Sequence, residues 1–481
     1  MDALSGSGEL RGSWTSLVAA LLVLSTSFSA SLMPILSMTQ DASEPSVVYE
    51  WSSASSMILP RASPVALILT SGDILVIGGI STNGPTATTE IFDSETLVWK
   101  PGPTMNSARV GHTATLLDDG TVLVTGGESG KGTVASAEII DVVRGGALSV
   151  GSMYFARSGH AASSLPDGRV LISGGTDWIS GTWYQAEAYN PSTHSFEPAG
   201  SMQHARMLFT MHLLASGDVL AVGGDIAGTS EMFDPSTGVW VDAVSMGCGR
   251  YEFAAAELED GRIVVAGGMD DGVVMSSAEI YDPTSNSWTS AGDMTQPRMR
   301  FSLTGLSDGK LIAAGSSSSE GSTDTTEIFC MKNMEWTASA DMIKDRGAHG
   351  AVMMTDGSVC VMGGKSGEVP LSSVEILVET QVEPPVTGPC QPIDLVPLVL
   401  SVASELRGHS ENGLIAKLIV AQYALDAGDV VLCLEAMEDF YNQLHGLFMS
   451  SHLSYDGITL LYTGYASVVE CLGGTPLPEI P

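Results

Sequence analysis

The sequence is poor in basic residues. Its 481 residues include 20 lysines and arginines against 55 aspartates and glutamates, which gives a formal net charge of −35. Nucleic acids and anionic membrane surfaces are bound through basic patches, so this balance argues against both as partners. It fits a soluble, self-repelling surface, a salt-rich environment, or scattered sites for divalent cations such as calcium.

Cysteine is scarce as well, and the spacings of common metal and phosphate sites are missing. Six cysteines are present without the spacing of a disulfide framework. No C-x-x-C or H-E-x-x-H motif occurs. Gly364-Lys365-Ser366 resembles the end of a phosphate loop, but Val359 stands where that motif needs its first glycine. The sequence therefore gives no catalytic signature of these kinds.

Long apolar runs are scarce, and the one of interest lies near the N-terminus. Residues 17–24 are apolar, and residues 25–31 are rich in small side chains. Ser27 and Ser29 are small residues at the positions that a signal peptidase prefers, so residues 1–29 are predicted to be a cleaved signal peptide. An uncleaved N-terminal anchor is the alternative, and it is the one expected link to a membrane. Both predict an extracellular or cell-surface protein.

One pattern recurs seven times. Its clearest copy reads R-V-G-H-T-A-T-L-L-D-D-G-T-V-L-V-T-G-G from Arg109 to Gly127, and Glu138 follows on a third apolar segment. Asp-Gly between two apolar runs is a strong hairpin signal, and paired glycines suit a close-packed backbone. The pairs recur every 44 to 49 residues, at Gly78-Gly79, Gly126-Gly127, Gly174-Gly175, Gly223-Gly224, Gly267-Gly268, Ala314-Gly315 and Gly363-Gly364.

Repeats of this length that are built of four short strands are propeller blades. The order of double glycine, E-x-Y/F-D, Trp, Met and Arg resembles kelch repeats and covers residues 47–378. The resemblance implies an all-β fold, a seven-bladed kelch β-propeller. Residues 47–61 form the end of a repeat, and the last repeat, residues 346–378, lacks that end. We therefore expect the N-terminal strand to complete the last blade and to close the ring.

Arginine and glutamate recur once in every repeat. Arginine opens the first strand and glutamate opens the third, so both are expected at the same end of the blade. A guanidinium suits a carboxylate, which predicts a ring of structural ion pairs, and an anion-binding arginine ring is the alternative. The two series are Arg61, Arg109, Arg157, Arg206, Arg250, Arg298 and Arg346, and Glu90, Glu138, Glu187, Glu231, Glu279, Glu327 and Glu375.

Aromatic residues and histidines also recur at fixed places in the repeats. The aromatic series is predicted to pack between blades: Trp51, Trp99, Phe196, Trp240, Trp288 and Trp336. His112, His160 and His349 each stand three residues after a repeat arginine. We interpret them as structural positions, with a role as ligands as the alternative.

The loops that follow the glycine pairs differ most between repeats, and function is expected where repeats differ. The third loop contains Trp178, Trp183 and Tyr184 in a chain with only 6% aromatic residues. Exposed Trp and Tyr stack on sugars or anchor a partner protein, and packing on the propeller face is the alternative. Four acidic residues in equivalent loops are candidates for a polar or cation-binding mouth: Asp177, Asp225, Asp270 and Asp271.

Galactose oxidase is an enzyme with a kelch propeller. Its family binds copper through tyrosines and histidines, including an adjacent Tyr-His pair, and carries a Tyr-Cys crosslink. This sequence has no adjacent Tyr-His pair. The resemblance therefore implies the fold and not the oxidase chemistry, and no cofactor is expected apart from possible calcium.

The chain changes character after the repeats. Residues 379–392 are rich in proline and glycine and read as a linker, and residues 393–473 show helical spacing that predicts a small all-α bundle of about four helices. Asn412-Gly413-Leu414, Ala427-Gly428-Asp429 and Phe440 resemble FIMAH, a helical module of secreted prokaryotic proteins, which implies an accessory or attachment role.

Two cysteines of this region form the one predicted disulfide. Cys433 and Cys471 lie near opposite ends of two predicted helices joined by a short loop, so an antiparallel hairpin would bring them together. The other four cysteines are more simply read as buried small residues or a lone thiol.

These observations predict an exported binding module. A protein or glycan partner would be held on the loops near Trp178, Trp183 and Tyr184. The competing hypotheses are a carbohydrate-active propeller enzyme that uses loop carboxylates around Asp177, Asp225 and Asp270, and a purely structural surface component. An enzyme should gather its carboxylates in one mouth, whereas a binding module should expose an apolar patch with a polar rim.

Overall fold

The computed structural model describes residues 46–307, 309–318, 321–382 and 430–449, together with the helical positions 414, 417–418, 421, 461–462, 465–466 and 469. Two compact units are present. One is Val47–Thr380, and the other combines Met1–Ser46 with Gln381–Pro481. The predicted signal peptide, residues 1–29, lies outside the described residues.

The first unit is a seven-bladed β-propeller in which every blade is a four-stranded antiparallel sheet. Its strands as far as residue 149 are β1 (Ser46–Ala54), β2 (Val65–Ile68), β3 (Ile74–Ile77), β4 (Ile80–Ser81), β5 (Gly84–Pro85), β6 (Thr89–Asp93), β7 (Val98–Pro101), β8 (Thr113–Leu116), β9 (Val122–Thr125), β10 (Glu128–Ser129), β11 (Gly132–Thr133), β12 (Ala137–Asp141) and β13 (Gly146–Ser149).

The later blades repeat the same succession of short strands. They comprise β14 (Ala161–Ser164), β15 (Val170–Ser173), β16 (Gln185–Asn190), β17 (Ser195–Ser201), β18 (Thr210–Leu213), β19 (Val219–Val222), β20 (Ser230–Asp234), β21 (Val239–Ala243), β22 (Ala254–Glu257), β23 (Ile263–Ala266), β24 (Met269–Asp270), β25 (Val273–Val274), β26 (Ser277–Asp282), β27 (Ser287–Asp293), β28 (Ser302–Gly305), β29 (Leu311–Ser318), β30 (Gly321–Cys330), β31 (Glu335–Ala338), β32 (Gly350–Met353), β33 (Val359–Met362), β34 (Lys365–Ser366), β35 (Val369–Pro370) and β36 (Val374–Val382).

The chain closes the ring with its first strand. Blades 1 to 7 are the sheets β2-β3-β6-β7, β8-β9-β12-β13, β14-β15-β16-β17, β18-β19-β20-β21, β22-β23-β26-β27, β28-β29-β30-β31 and β32-β33-β36-β1. In the last of these, β1 is the outer strand beside β36, which confirms the predicted closure. The first strands of blades 1 and 7, β2 and β32, contact each other as well. Strand β36 runs to Val382, so its last residues occupy the start of the predicted linker.

Among the described residues of the propeller, the hydrophobic core forms seven clusters, one at each junction between neighbouring blades. The second strand of each blade is buried along its length, as in Val122–Thr125 and Ile263–Ala266. It is covered on both faces by adjacent blades, which explains its continuous apolar sequence. The aromatic series packs in these junctions, as predicted. For example, the ring centroids of Trp99 and Phe92 are 5.1 Å apart in the cluster shared by blades 7 and 1.

The glycine pair follows from this packing. Gly126 and Gly127 have φ angles of +61° and +95°. A Cβ at Gly126 would lie 2.4 Å from the carbonyl oxygen of Arg157 in the next blade, and one at Gly127 would lie 2.8 Å from the carbonyl oxygen of Val110. Both the backbone angle and the contact distance therefore require glycine here.

One helix of the second unit is described along its whole length, α1 (Val430–Met449). Its buried stripe includes Cys433, Met437, Phe440 and Leu444, and Tyr465 lies 5.3 Å from Tyr441, measured between ring centroids. The predicted bundle over residues 393–473 and its FIMAH likeness stay predictions, because most of that segment lies outside the described residues.

Of the two cysteines of the predicted disulfide, Cys433 lies among the described residues. Cys433 is a free, buried thiol, and burial raises its pKa to about 11. Its predicted partner, Cys471, lies outside the described residues. Within the part of the chain that the structure describes, no helix is long and apolar enough to cross a membrane.

Candidate functional site

One end of the propeller carries the variable loops, and we call it the loop face. In every blade the first strand begins at this end and the antiparallel second strand ends there. The loop after the glycine pair is therefore beside the segment that enters the same blade. Isolated β-bridges join the two, as in Val110 with Glu128 and Ser158 with Thr176.

Seven arginine–glutamate pairs lie beneath the loop face. The guanidinium Nη2 and the carboxylate Oε1 are 2.5–2.9 Å apart in every blade. Arg206 is typical, since its Nη1 also donates to the carbonyl of Gly223, and Glu231 accepts the backbone N–H groups of Gln203 and His204. Each pair thus fixes the segment that enters its own blade.

The arginine ring is structural, as predicted, and it does not offer an anion site. All seven arginine side chains are fully buried, and each already holds its glutamate. Burial lowers the pKa of Arg61, Arg109 and Arg157, while the glutamate partner acts in the opposite direction. An incoming anion would have to displace a carboxylate from a dry site.

The recurrent histidines are structural too. Burial, together with the charge of nearby Arg109 and Arg346, lowers the pKa of His112 and of His349 to about 3. His160 Nε2 lies 3.0 Å from the hydroxyls of both Thr113 and Thr125. A buried neutral imidazole bonded to hydroxyls is a packing residue, so the alternative role as a ligand gains no support.

A ring of left-handed residues surrounds the centre of the loop face. Each of seven residues, two after the repeat arginine, has a positive φ: Ser63, Gly111, Gly159, Leu208, Glu252, Arg300 and Ala348. Backbone hydrogen bonds link neighbours in the ring, as from Ala348 N–H to Arg300 O and from Arg300 N–H to Glu252 O. The ring includes an ion pair of 2.5 Å between Arg300 and Glu252 that sequence reasoning missed. A charged residue where the other repeats carry glycine, serine, alanine or leucine was the available signal.

Trp178 is the most exposed aromatic residue of the predicted aromatic loop. Its side chain is 59% exposed, it has a φ of +62°, and its Nε1 donates to Glu128 Oε1 at 2.5 Å. Ile179 beside it is 93% exposed. Glu128 belongs to the blade 2 hairpin β10–β11, so the indole reaches across to the neighbouring blade.

The other two aromatic candidates divide between packing and exposure. Trp183 is half-buried, and its ring centroid lies 4.9 Å from that of Phe155. Its indole N–H donates to the carbonyl oxygen of Ala156. These contacts agree with the alternative in which the aromatic residue packs on the propeller face. Tyr184 is 47% exposed on the same blade. Trp178 and Tyr184 are therefore the exposed aromatic residues of this loop, and Trp183 packs against Phe155.

Two of the four acidic candidates accept hydrogen bonds within their own loops, and the other two lie in the β24–β25 hairpin. Asp177 accepts the N–H groups of Ile179 and Ser180, and Asp225 accepts the N–H and the hydroxyl of Thr229. Asp270 lies in β24, and Asp271 is an exposed turn residue with a φ of +42°. No group of three or more His, Cys, Asp or Glu side chains that could hold a metal ion occurs among the described residues. The carboxylates do not converge on one mouth there.

Sequence reasoning missed three further residues of this surface. Ile179 is 93% exposed beside Trp178, and Glu128, which bonds to Trp178, lies 50 residues away in the chain. Tyr154 is 65% exposed in the segment that enters blade 3. An apolar residue directly after Trp in a polar loop was a readable signal for Ile179. The pairing of Glu128 with Trp178 depends on the docking of two blades.

Comparison with known proteins agrees with this architecture. Residues 61–106 and 253–295 match the kelch motif family. The chain is a kelch-repeat β-propeller. The other five blades keep the same glutamate and arginine, and four of them keep the glycine pair, which is replaced by Ala314-Gly315 in blade 6. No curated protein sequence matches the chain.

Solved structures show the same fold. A fungal alcohol oxidase of the AA5 family in complex with copper matches with a TM-score of 0.58 and 18% identity, over 69% of this chain and 76% of that chain. In all, 1021 solved chains match, so the likeness establishes the propeller and leaves the function open.

The copper belongs to that neighbour, and two of the recurrent histidines of this chain are not placed as metal ligands. Copper prefers imidazole ligands, and here His112 and His349 are buried packing residues with no carboxylate or thiol cluster beside them. A tyrosine–histidine pair does occur, with Tyr189 Oη 2.9 Å from His194 Nδ1. It lies at the turn between β16 and β17, at the end opposite the loop face. The likeness to the oxidase therefore concerns the fold alone.

Proposed function

We propose that this kelch propeller is an exported protein-binding module whose partner docks on the loop face over Trp178 and Ile179. The observation that carries the proposal is the exposure of these two large apolar side chains, 59% and 93%, on one short loop. Exposed aromatic anchors with a polar rim are typical of protein-binding surfaces. Export rests on the sequence of residues 1–29.

The loop is well held, which favours binding. Trp178 N–H donates to Thr176 Oγ1 at 3.0 Å, Thr176 Oγ1 donates to Gly181 O at 3.0 Å, and the Trp183 N–H donates to Gly175 O at 2.7 Å. A loop that is ordered before binding loses little conformational entropy when its partner docks. The exposed side chains of Trp178 and Ile179 therefore lie on a loop that is already ordered by hydrogen bonds.

The competing enzyme hypothesis gains less support. Asp177 Oδ1 and both carboxylate oxygens of Asp225 accept hydrogen bonds within their own loops. A pair of catalytic carboxylates needs to face a shared substrate position. The loop carboxylates near the aromatic patch are instead parts of turns.

The test compares two variants of the chain from Ala30 onward. In the first, Trp178→Ala and Ile179→Ser remove the patch. In the second, Val143→Ser removes an apolar side chain that is 96% exposed in the turn after β12, at the opposite end of the propeller. Proteins from the exterior of the source cells are captured on each chain and identified. Binding is then remeasured with the purified partner, and a glycan array is run in parallel.

We expect a protein partner that binds the wild type and the Val143 variant and binds the double variant at least tenfold more weakly. Thermal unfolding of all three chains at the same temperature would show that the fold is intact. If ligands are found only on the glycan array, the partner is a glycan and not a protein. Equal binding of the wild type and the folded double variant would overturn the proposal.

A further inference from the structure

The Trp178 indole and the Glu128 carboxylate form one unit across two blades. The indole N–H donates to Glu128 Oε1 at 2.5 Å, while Trp178 as a residue is 59% exposed. Thr133, on the same hairpin as Glu128, donates through its hydroxyl to the carbonyl of Asp177 at 3.3 Å. The position of the ring relative to the carboxylate is therefore fixed from both blades.

This unit has the chemistry that recognises a cation. The face of an indole attracts ammonium and guanidinium groups, and tryptophan does so most strongly among the aromatic residues. The second Glu128 oxygen makes no hydrogen bond with the indole, and a carboxylate beside the ring favours a positive charge there. Only Lys131 opposes this charge within the two loops, residues 128–133 and 176–183, which also contain Glu128 and Asp177.

The whole chain favours the same sign of partner. A formal net charge of −35 attracts a basic partner and repels an acidic one before contact. Ile179, next to the indole and 93% exposed, offers an apolar contact beside the charged one. The matching partner surface is a basic side chain with an aliphatic neighbour.

We propose that Trp178 and Glu128 bind a lysine or arginine side chain of the partner, with an aliphatic partner residue on Ile179. This rests on the proposed function and adds the chemical class of the partner segment. The cation lies over the indole face with its N–H groups toward Glu128. No covalent step is involved.

The experiment selects binding peptides from a random dodecapeptide library displayed on phage, using the full chain from Ala30 onward. Selection on the wild type is followed by removal of peptides that also bind the Trp178→Ala variant. Affinities of the remaining peptides are measured for the wild type, Trp178→Ala, Trp178→Phe, Glu128→Gln, Lys131→Ala and Glu95→Gln. Glu95 is an exposed carboxylate in the turn between β6 and β7, at the opposite end of the propeller, and is the matched control.

We expect the selected peptides to carry Lys or Arg next to an aliphatic residue. Trp178→Ala should weaken their binding about tenfold, Glu128→Gln a fewfold and Trp178→Phe less than Trp178→Ala, since phenylalanine keeps an aromatic face. Lys131→Ala should strengthen binding, Glu95→Gln should leave it unchanged, and added salt should weaken it.

The outcomes separate this inference from the proposed function. The cation site would be overturned by peptides that depend on Trp178 but are neutral or acidic. It would also be overturned by peptides whose affinity for the Glu128→Gln variant equals that for the wild type. Neither result would contradict the proposed binding module. Failure to obtain any peptide that depends on Trp178 would count against the proposed function and, with it, against this site.

Discussion

Buried charge governs the propeller at the scale of single residues. Each blade buries one guanidinium beside one carboxylate, and that carboxylate also accepts two backbone N–H groups of the segment entering the blade, as Glu90 does from Ile58 and Leu59. Burying a charge is costly unless it is paired and hydrogen-bonded. The pair is thus best understood as an anchor for an entering segment.

Removing one partner of such a pair should be severe. Arg206 and Glu231 have fully buried side chains. In Glu231→Ala an unpaired buried cation remains, and we expect a loss of about 3–5 kcal/mol in the free energy of unfolding. Chemical denaturation measures it. The control is Arg169→Ala, which breaks pairs exposed to solvent with Asp167 and Glu197 and should cost about 1 kcal/mol or less. Equal losses in both variants would contradict a structural role for the buried ring.

The buried histidines predict a dependence of stability on pH. The pKa of His112 is about 3 in the fold, against about 6.5 when unfolded. Between these values only the unfolded chain binds the proton, so stability is complete above about pH 6.5 and falls as the pH is lowered toward 3. The slope is about 1.4 kcal/mol per pH unit for each such histidine.

His112→Phe should flatten that slope. Phenylalanine occupies the equivalent position of other blades, for example Phe209 and Phe253, so the ring fits the site. Chemical denaturation from pH 7 to pH 4 compares the variant with the wild type. An unchanged slope would show that His112 is accessible to protons in the folded state.

At the scale of elements, the closing strand stabilises the ring, whereas the loops vary from blade to blade. Strand β1 joins the two ends of the repeat array in a single sheet with β36. The loops after the glycine pairs are free to vary because the pairs themselves fix the backbone below them. This separation lets blade 3 carry an exposed Trp178 on a regular scaffold.

Deletion of residues 46–54 tests the role of β1. The deletion exposes the edge of β36 and removes Tyr49 and Trp51 from the junction of blades 6 and 7. We expect a lower thermal midpoint and concentration-dependent association through the open edge. Calorimetry and light scattering measure the two effects. A monomer with an unchanged midpoint would mean that the ring does not depend on this strand.

At the scale of the whole molecule, the excess of acidic residues matters. A net charge of −35 keeps molecules apart but also destabilises the compact state through self-repulsion. Added salt screens this repulsion. The thermal midpoint should therefore rise between about 10 and 200 mM sodium chloride, where the Debye length falls from about 30 Å to less than 10 Å. A midpoint that falls over this range would show that specific ion pairs outweigh the general repulsion.

The sequence by itself determined the propeller. A period of 44 to 49 residues, the glycine pairs and the incomplete first and last repeats predicted seven blades and their closure by the N-terminal strand, because each repeat must bury its strands against a neighbour. The ion pairs and the packing of the aromatic series were readable for the same reason. Periodic residues occupy equivalent places in equivalent blades.

Only the tertiary structure decided which loop residues are presented to a partner. The sequence offered Trp178 and Trp183 as equals, and packing against Phe155 half-buried one of them. It offered Asp225 as a possible ligand residue, although its carboxylate closes its own turn. It could not pair Glu128 with Trp178, because that contact is set by the docking of two blades. Repetition fixes the scaffold, whereas contacts between unlike loops exist only after the blades have packed.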